Sequence, residues 1–247
     1  MLHAEGSLLT IDLGDRSAEV ENIDTVLQSY IGGRGVGTRL AHEFIPYDVD
    51  PLSGDNSLIF TTGPLQMSQM SYTGRMNVTG VSPLTGGLLS SNAGGYMSRH
   101  FADTGHAAVR ITGRSDELVA VHVTDDGIEF ESTPELRDAR VDETIEYMET
   151  EHDLGHDQLA IVGPAGERRV RFAAIMTSES RAFGRGGMGA VMGAKNLKAI
   201  SFRGDSAPEI SIPDVQADVH RDAATSDSIM KEQGTASLVD LTNELDG

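Results

Sequence analysis

Cysteine and tryptophan are absent from the 247 residues, and lysine occurs only at Lys195, Lys198 and Lys231. Without cysteine the chain can hold no disulfide, no thiolate zinc site and no cysteine-ligated iron–sulfur cluster. No apolar run is long enough to span a membrane. Met1 to Arg16 has neither a basic start nor an apolar signal core, which points to the cytoplasm. Positive charge is scarce: 19 Lys+Arg stand against 38 Asp+Glu, for a net charge of −19. Such a surface argues against nucleic acid and anionic membranes as partners. Many carboxylates with almost no lysine suit a halophile-like protein kept soluble in high salt, and equally an ordinary acidic cytosolic one.

What is present is glycine, 28 residues of it, and an apolar fraction of 38%, enough for a real core. The length allows one large domain, or one domain and a fragment of another. Short apolar runs read as strands at 8–13, 17–23, 57–62, 75–80, 107–112, 118–124, 128–132, 158–162, 170–176 and 199–202. Asp125-Asp126-Gly127 marks a hairpin. Helices are expected at 24–30, after the glycines of GGRGVG, at 96–103 with Gly105 as its stop, and at 141–151. SSNAGG, Ser90 to Gly95, reads as a loop. Beyond Gly204 the chain turns polar, and 205–218, with Pro208 and Pro213, reads as a linker before a helix-compatible stretch from His220 to Glu244. No internal repeat is visible. Strands dominate and helices are scattered, so the expected class is α+β rather than a doubly wound sheet.

The chain's most informative stretch is SRAFGRGGMGAVMGAKNLK, Ser180 to Lys198. Glycines permit close backbone approach and positive φ, and free N–H groups in such a turn form an anion-binding concavity. Arg181 and Arg185 add planar forks that grip phosphate, and Lys195 and Lys198 close the stretch. GRGGMG also matches G-x-G-x-x-G, with Asp205 near the distance of a ribose-binding acid, so a dinucleotide-binding oxidoreductase is one reading. The short helix and the arginines in the loop weigh against it. Arg75 beside Gly74, and Asn92 ahead of Gly94-Gly95, repeat the theme of a polar fork or amide next to glycine. Asn can bond a heterocycle edge through both amide atoms. Several such loops converging would suit a large, flat, phosphate-bearing cofactor. EHDLGHD places His152 and His156 four apart, but Gly155 interrupts it, and a solvated loop is expected. Glu129 and Glu131 are expected on an exposed hairpin.

GGRGVG, TTGPL, TGRMNV, SPLTGG, SNAGG, GPAGE, RFAAIM and RAFGRGGMGAVMGAKNLKAI occur in an order and spacing that resemble the N-terminal domain of aldehyde:ferredoxin oxidoreductases. These are tungsten, sometimes molybdenum, bis-pterin enzymes. The resemblance covers Leu8 to Gly204. It implies an α+β domain, residues 1–204, in which two β-sheets with flanking helices form a base for a bis-pterin cofactor. Residues 205–247 would then be a linker and the opening of a truncated helical domain. By the same resemblance Arg75 is similar to the arginine that bridges the pterin and a four-iron cluster. Asn92 and Gly94 match a second pterin loop, and Arg181, Ala182, Gly184 and Arg185 a third. The main-chain carbonyls of Asn92 and Ala182 would bind a magnesium ion joining the pterin phosphates. The implied activity is oxidation of an aldehyde to a carboxylic acid, with electrons leaving through a four-iron four-sulfur cluster to ferredoxin. Family enzymes carry the cluster cysteines and the acid–base residues in later domains. Those domains are missing here, so this chain is expected to be the cofactor-binding part of such an enzyme, a subunit of a split one, or a non-catalytic fragment. A homodimer is compatible with each.

Overall fold

The computed structural model describes residues 6–68, 70–178, 180–206 and 212–245. The chain opens with the hairpin β1 (Ser7–Asp12) and β2 (Ser17–Asn22), followed by helices α1 (Asp24–Tyr30) and α2 (Gly33–Phe44). Three antiparallel strands come next, β3 (Leu58–Thr62), β4 (Arg75–Val81) and β5 (Leu88–Gly94), then α3 (Met97–Asp103) and β6 (Ala108–Thr112). A second hairpin, β7 (Val119–Thr124) and β8 (Gly127–Ser132), leads into α4 (Val141–His152). The chain continues through β9 (Leu159–Ile161), α5 (Pro164–Glu167), β10 (Ile175–Thr177), β11 (Arg181–Phe183), α6 (Met188–Ala194) and β12 (Leu197–Phe202). It ends in the helices α7 (Pro213–Thr225), α8 (Ile229–Gln233) and α9 (Leu238–Glu244). Among the described residues no helix is long and apolar enough to cross a membrane.

Two six-stranded mixed sheets result, in the orders β2-β1-β6-β3-β4-β5 and β11-β10-β9-β12-β7-β8. Advancing each strand of the first by six gives the second, read from the other end. In both, a hairpin is followed by helix and three antiparallel strands. A last strand then inserts between hairpin and meander, parallel to the hairpin's first strand. The fold is therefore an internal repeat, where the sequence shows none. Topology is set by the placing of apolar runs and turns, and different residues can satisfy the same placement.

The inner faces of the sheets share one core, which also takes up α3 and α6. Phe60, Phe101, Phe183 and Phe202 are fully buried in it and meet edge to face, with centroids 5.0–6.2 Å apart. A second cluster, with Leu27, Val36 and Leu40, fixes α1 and α2 to the outside of the first sheet. A third, with Leu136, Met148 and Leu154, fixes α4 to the outside of the second.

Several local expectations change. GGRGVG is the first turn and a half of α2, not a lead into it. A Cβ at Gly37 would stand 2.6 Å from Thr79 Oγ1, so glycine lets this helix lie directly on β4. SSNAGG is strand, paired with β4 as far as Gly94. VRFAAIM shrinks to β10, because Ala173 turns back on Val170 and its carbonyl receives the N–H of Gly189. Pro213 takes the first turn of α7, so the expected linker is helix from 213 onward; 207–211 lie outside the described residues. Lys195 and Lys198 are not part of a phosphate cradle. Both are fully buried. Lys198 Nζ donates to Glu167 Oε1 at 2.6 Å and to Ala139 O at 2.7 Å. Lys195 Nζ donates to Gly54 O at 2.9 Å and Gly113 O at 3.0 Å, tying two loops of the first sheet to the end of α6.

Burial, then the nearby Arg110 charge, pushes the Lys195 ammonium down from 10.5 to about 7, against the pull of Asp12 and Asp55. Its two carbonyl acceptors match the two N–H bonds of a neutral amine. Between pH 7 and 10.5 the unfolded chain holds a proton that the folded chain has released, so stability rises with pH across that window. Urea melts should show a positive slope there of at most about 1.4 kcal/mol per pH unit, and Lys195→Met should lose that increment. A Cβ at Gly193 would collide with the Gly166 carbonyl, where α5 crosses α6. Gly193→Ala should therefore cost about 3 kcal/mol in the same melts.

Candidate functional site

The last strand of each sheet, β5 and β11, is an edge, and the two edges meet. Their contact is polar and made largely through the backbone. Arg185 N donates to Ser91 Oγ at 3.1 Å, and Ser82 Oγ donates to Gly186 O at 2.6 Å. Gly95, at φ +107°, lies against Arg181 and Ser178: a Cβ there would stand 3.1 Å from Arg181 Cγ and 2.9 Å from Ser178 Oγ. Glycine is required at this position by both backbone angle and space.

A cavity of about 740 Å³ opens at this seam, lined by Arg75 and Gly94 from the first sheet, Arg181 from the second and Arg99 from α3. Among the described residues no carboxylate lines it, in a chain with net charge −19. Three guanidinium groups on one cavity wall suit an anion that can accept several bonds. Two buried polar atoms beside it, Gln66 Oε1 and Ser178 Oγ, have no hydrogen-bond partner among the described residues. Such orphans are costly unless a ligand or water answers them. Tyr72, at the rim, is held at φ +72°, a backbone region that bulky residues avoid and that clusters at functional sites.

The residues singled out in the sequence fall on this seam with different roles. Arg75 Nη1 donates to Asn92 Oδ1 at 2.9 Å. The Asn92 amide nitrogen is engaged as well, with Met76 O at 3.1 Å and Asn77 Oδ1 at 3.3 Å. Asn92 thus holds Arg75 in place and does not present its amide to a heterocycle edge. Ala182 lies at the middle of β11, opposite Met176. Gly184 is exposed and has open space where a Cβ would stand. Arg185 is exposed and follows the seam by its main chain; its side chain does not line the cavity.

The remaining glycines of the loop serve packing. A Cβ at Gly186 would stand 2.6 Å from Leu89, and one at Gly187 or Gly189 would strike the backbone of Arg171 or Ala174. This explains GRGGMG without a dinucleotide. Its helix is seven residues long and wholly buried, and Gly189 N is already bonded to Ala173 O. Asp205 lies beyond the far end of β12, bonded to Asp125. The sheet is mixed, whereas a dinucleotide fold is mostly parallel.

Sequence reasoning missed Arg99, Gln66, Ser178 and His220 of α7, which lines the same cavity. Arg99 sits one helical turn after SNAGG, on an element that starts at the seam, and that placement was the available signal.

Residues 8–204 match the family model described as aldehyde ferredoxin oxidoreductase, N-terminal domain. A tungsten-containing aldehyde ferredoxin oxidoreductase of Pyrococcus horikoshii is 35% identical across 97% of this chain, which covers 41% of that protein. The WOR-like subunit of an aliphatic sulfonate oxidoreductase from Pyrococcus furiosus is 32% identical, covering 83% of this chain and 35% of its own length. Among solved structures, the active site complex BamBC of benzoyl coenzyme A reductase, in complex with 1,5-dienoyl-CoA, superposes with a TM-score of 0.81. It is 33% identical and covers 86% of this chain and 33% of its own. The chain thus spans about two fifths of the length of the first of these relatives.

Inorganic pyrophosphate, titrated calorimetrically at low salt, should bind at the seam. Arg75→Ala and Arg181→Ala should each weaken it roughly tenfold or more, the usual cost of a charge-assisted bond. Arg39→Ala, on α2 and paired with Glu43, should leave the affinity unchanged.

Proposed function

The chain belongs to the aldehyde ferredoxin oxidoreductase family, matching its N-terminal domain, and from that premise we propose that the seam between β5 and β11 is the floor for a tungsten- or molybdenum-bearing bis-pterin. The observation that carries the proposal is the arginine-lined cavity, with no carboxylate among its described lining residues, in a strongly acidic chain. The topological repeat supports it: a cofactor of two like halves would rest on two like sheets, edge strand to edge strand. The orphaned Gln66 Oε1 and Ser178 Oγ fit a ligand rich in hydrogen-bonding atoms. When bound, the group would supply two-electron redox chemistry at its metal.

This chain's own residues would bind and orient. Arg75, held by Asn92, and Arg181 would neutralise the phosphate tails. Gly94, Gly95 and Gly184 would let backbone and ligand approach closely. The carbonyls of Asn92 and Ala182, each on an edge strand, would be oxygen ligands for a magnesium ion beside the phosphates, in keeping with that ion's preference for oxygen. Arg185, exposed at the end of the seam, would add charge to the outer phosphate.

The protein that contains this domain would oxidise an aldehyde to a carboxylic acid. Electrons would leave to ferredoxin through a four-iron four-sulfur cluster held outside this chain, which has no cysteine. Further domains or a partner subunit would supply the cluster ligands and the acid–base residues, and the aldehyde and ferredoxin would be its partners.

Purified together with those further parts, the protein should contain tungsten or molybdenum by elemental analysis and release a fluorescent pterin on oxidation. Arg75→Ala should retain about a tenth of the metal or less, and Asn92→Ala an intermediate amount, since it removes only the positioning bond. Aldehyde-oxidising material free of both metals would overturn the assignment.

A further inference from the structure

We propose that His122, Glu131 and His152 form a binding site for one divalent transition-metal ion, zinc in the first place, on the outer face of the second sheet. The three residues come from three elements. His122 lies on β7, Glu131 on β8, and His152 is the last residue of α4, which packs on the outer face of the sheet against β7 and β9 and reaches β8 through the contacts of Tyr147 and His152 with Glu131. This proposal rests on no part of the cofactor reading.

The geometry is that of a metal-ligand set. His122 Nε2 and His152 Nε2 each lie 3.1 Å from Glu131 Oε2, and the three ligand atoms all fall within 4.8 Å of one another. Ligand atoms at about 2.0–2.2 Å from a tetrahedral zinc stand about 3.3 Å apart. The imidazoles are stacked at 4.6 Å with a 31° tilt, so both edges face the carboxylate. Among the described residues this is the one grouping of three or more potential metal-binding side chains.

Two further observations point to a ligand. His152 Nε2 is shielded from solvent and, although close to Glu131, has no hydrogen bond of acceptable geometry. A metal ion would satisfy that atom. Each of two ligands is also braced from behind. Ser201 Oγ bonds His122 Nδ1 at 2.8 Å, which leaves Nε2 to face the site. Tyr147 OH donates to Glu131 Oε1 at 2.8 Å, which leaves Oε2 to face it. Metal-binding histidines and carboxylates are oriented in this way by outer partners.

The surrounding charges do not oppose a cation. Glu129 and Glu135 lie on the same side, and Arg203 directs its guanidinium to the His152 and Asp153 carbonyls at the end of α4. Two imidazoles and one carboxylate select zinc-like ions over magnesium and calcium. The fourth position opens toward solvent, since the Glu131 and His152 side chains are 18% and 27% exposed, and would hold water. The ion would tie the β7–β8 hairpin to the end of α4. The solvated loop expected for EHDLGHD is thus half wrong: His156 is turned outward, but His152 joins partners that are far away in sequence.

The test uses the full protein, treated with a chelator and dialysed. Zinc chloride should bind with one more equivalent per chain in the wild type than in His152→Ala, and magnesium chloride should not compete. Ser201→Ala should keep the site but weaken zinc roughly 10–100-fold, whereas His156→Ala should change nothing. Zinc stoichiometry equal in wild type and His152→Ala would overturn the proposal, as would no zinc bound by the wild type. Should His152→Ala fail to fold, cobalt(II) added to the wild type decides. A strong visible band in the difference spectrum, diagnostic of four-coordinate nitrogen and oxygen ligation, supports the site, and the weak spectrum of aqueous cobalt overturns it.

Discussion

The hydrogen bond from Arg185 N, just past β11, to Ser91 Oγ on β5, with its companion from Ser82 Oγ in the β4–β5 turn to Gly186 O, ties together the ends of two sheets whose edge strands would otherwise be unpaired. Exposed edges are hazards, because they present free N–H and C=O groups to any passing strand. Here β5 and β11 cover each other through side-chain hydroxyls and loop carbonyls instead of a continuous ladder. That choice leaves a gap at the seam where a ladder would have left none. Gly94 and Arg181 lie on these edge strands, Gly95 just past the first, and Arg75 opposite Gly94 on the neighbouring β4. The site depends on this junction more than on any single residue in it.

The junction in turn needs the two sheets to keep their relative position, and the basic residues divide that work. Lys195 reaches from the end of α6 into two loops of the first sheet, and Lys198 clamps Glu167 and the Ala139 carbonyl within the second. Both side-chain nitrogens are buried, where an unsatisfied polar group is expensive, and both find two acceptors. Arginine does the reverse. Arg75, Arg99 and Arg181 stay at the cavity, where a planar fork can grip an oxyanion. In a chain so poor in lysine, the two buried lysines hold the fold while these three arginines are left at the cavity.

Much of this was legible in the sequence, and the failures have physical causes. The hairpin at Asp125-Asp126-Gly127, the helix from Val141 and the strand-rich α+β class follow from turn chemistry and periodicity, which are local. The loop motifs carried the family resemblance and placed Arg75, Asn92 and Arg181 before any fold was known. Local reasoning failed where long-range packing sets the role. Lys195 and Lys198 looked like phosphate ligands because they follow glycine and arginine, but the end of α6 and β12 carry them into the interior. Gly186, Gly187 and Gly189 looked like a nucleotide loop, yet each is glycine because another backbone or side chain occupies the Cβ position. The His122–Glu131–His152 grouping was invisible because it joins a strand, its hairpin partner and a helix end. No spacing rule connects them.

The repeat bears on how the site came to have its form. Each half ends its meander on an outer strand, β5 or β11, and each then enters a short helix that packs into the shared core. A single half would expose that edge strand and the apolar inner face of its sheet. Two halves set face to face bury both faces in one core and bring the edges together at the seam. Arginines near those edges then converge without any need for a long loop. The repeat is not exact where it matters. The first half contributes Arg75 with Asn92 as its brace, and the second contributes Arg181 from the strand itself. A cavity between like but unequal edges has two sides of the same general shape and different donors. That is the asymmetry a ligand with two similar halves needs if it is to bind in one orientation.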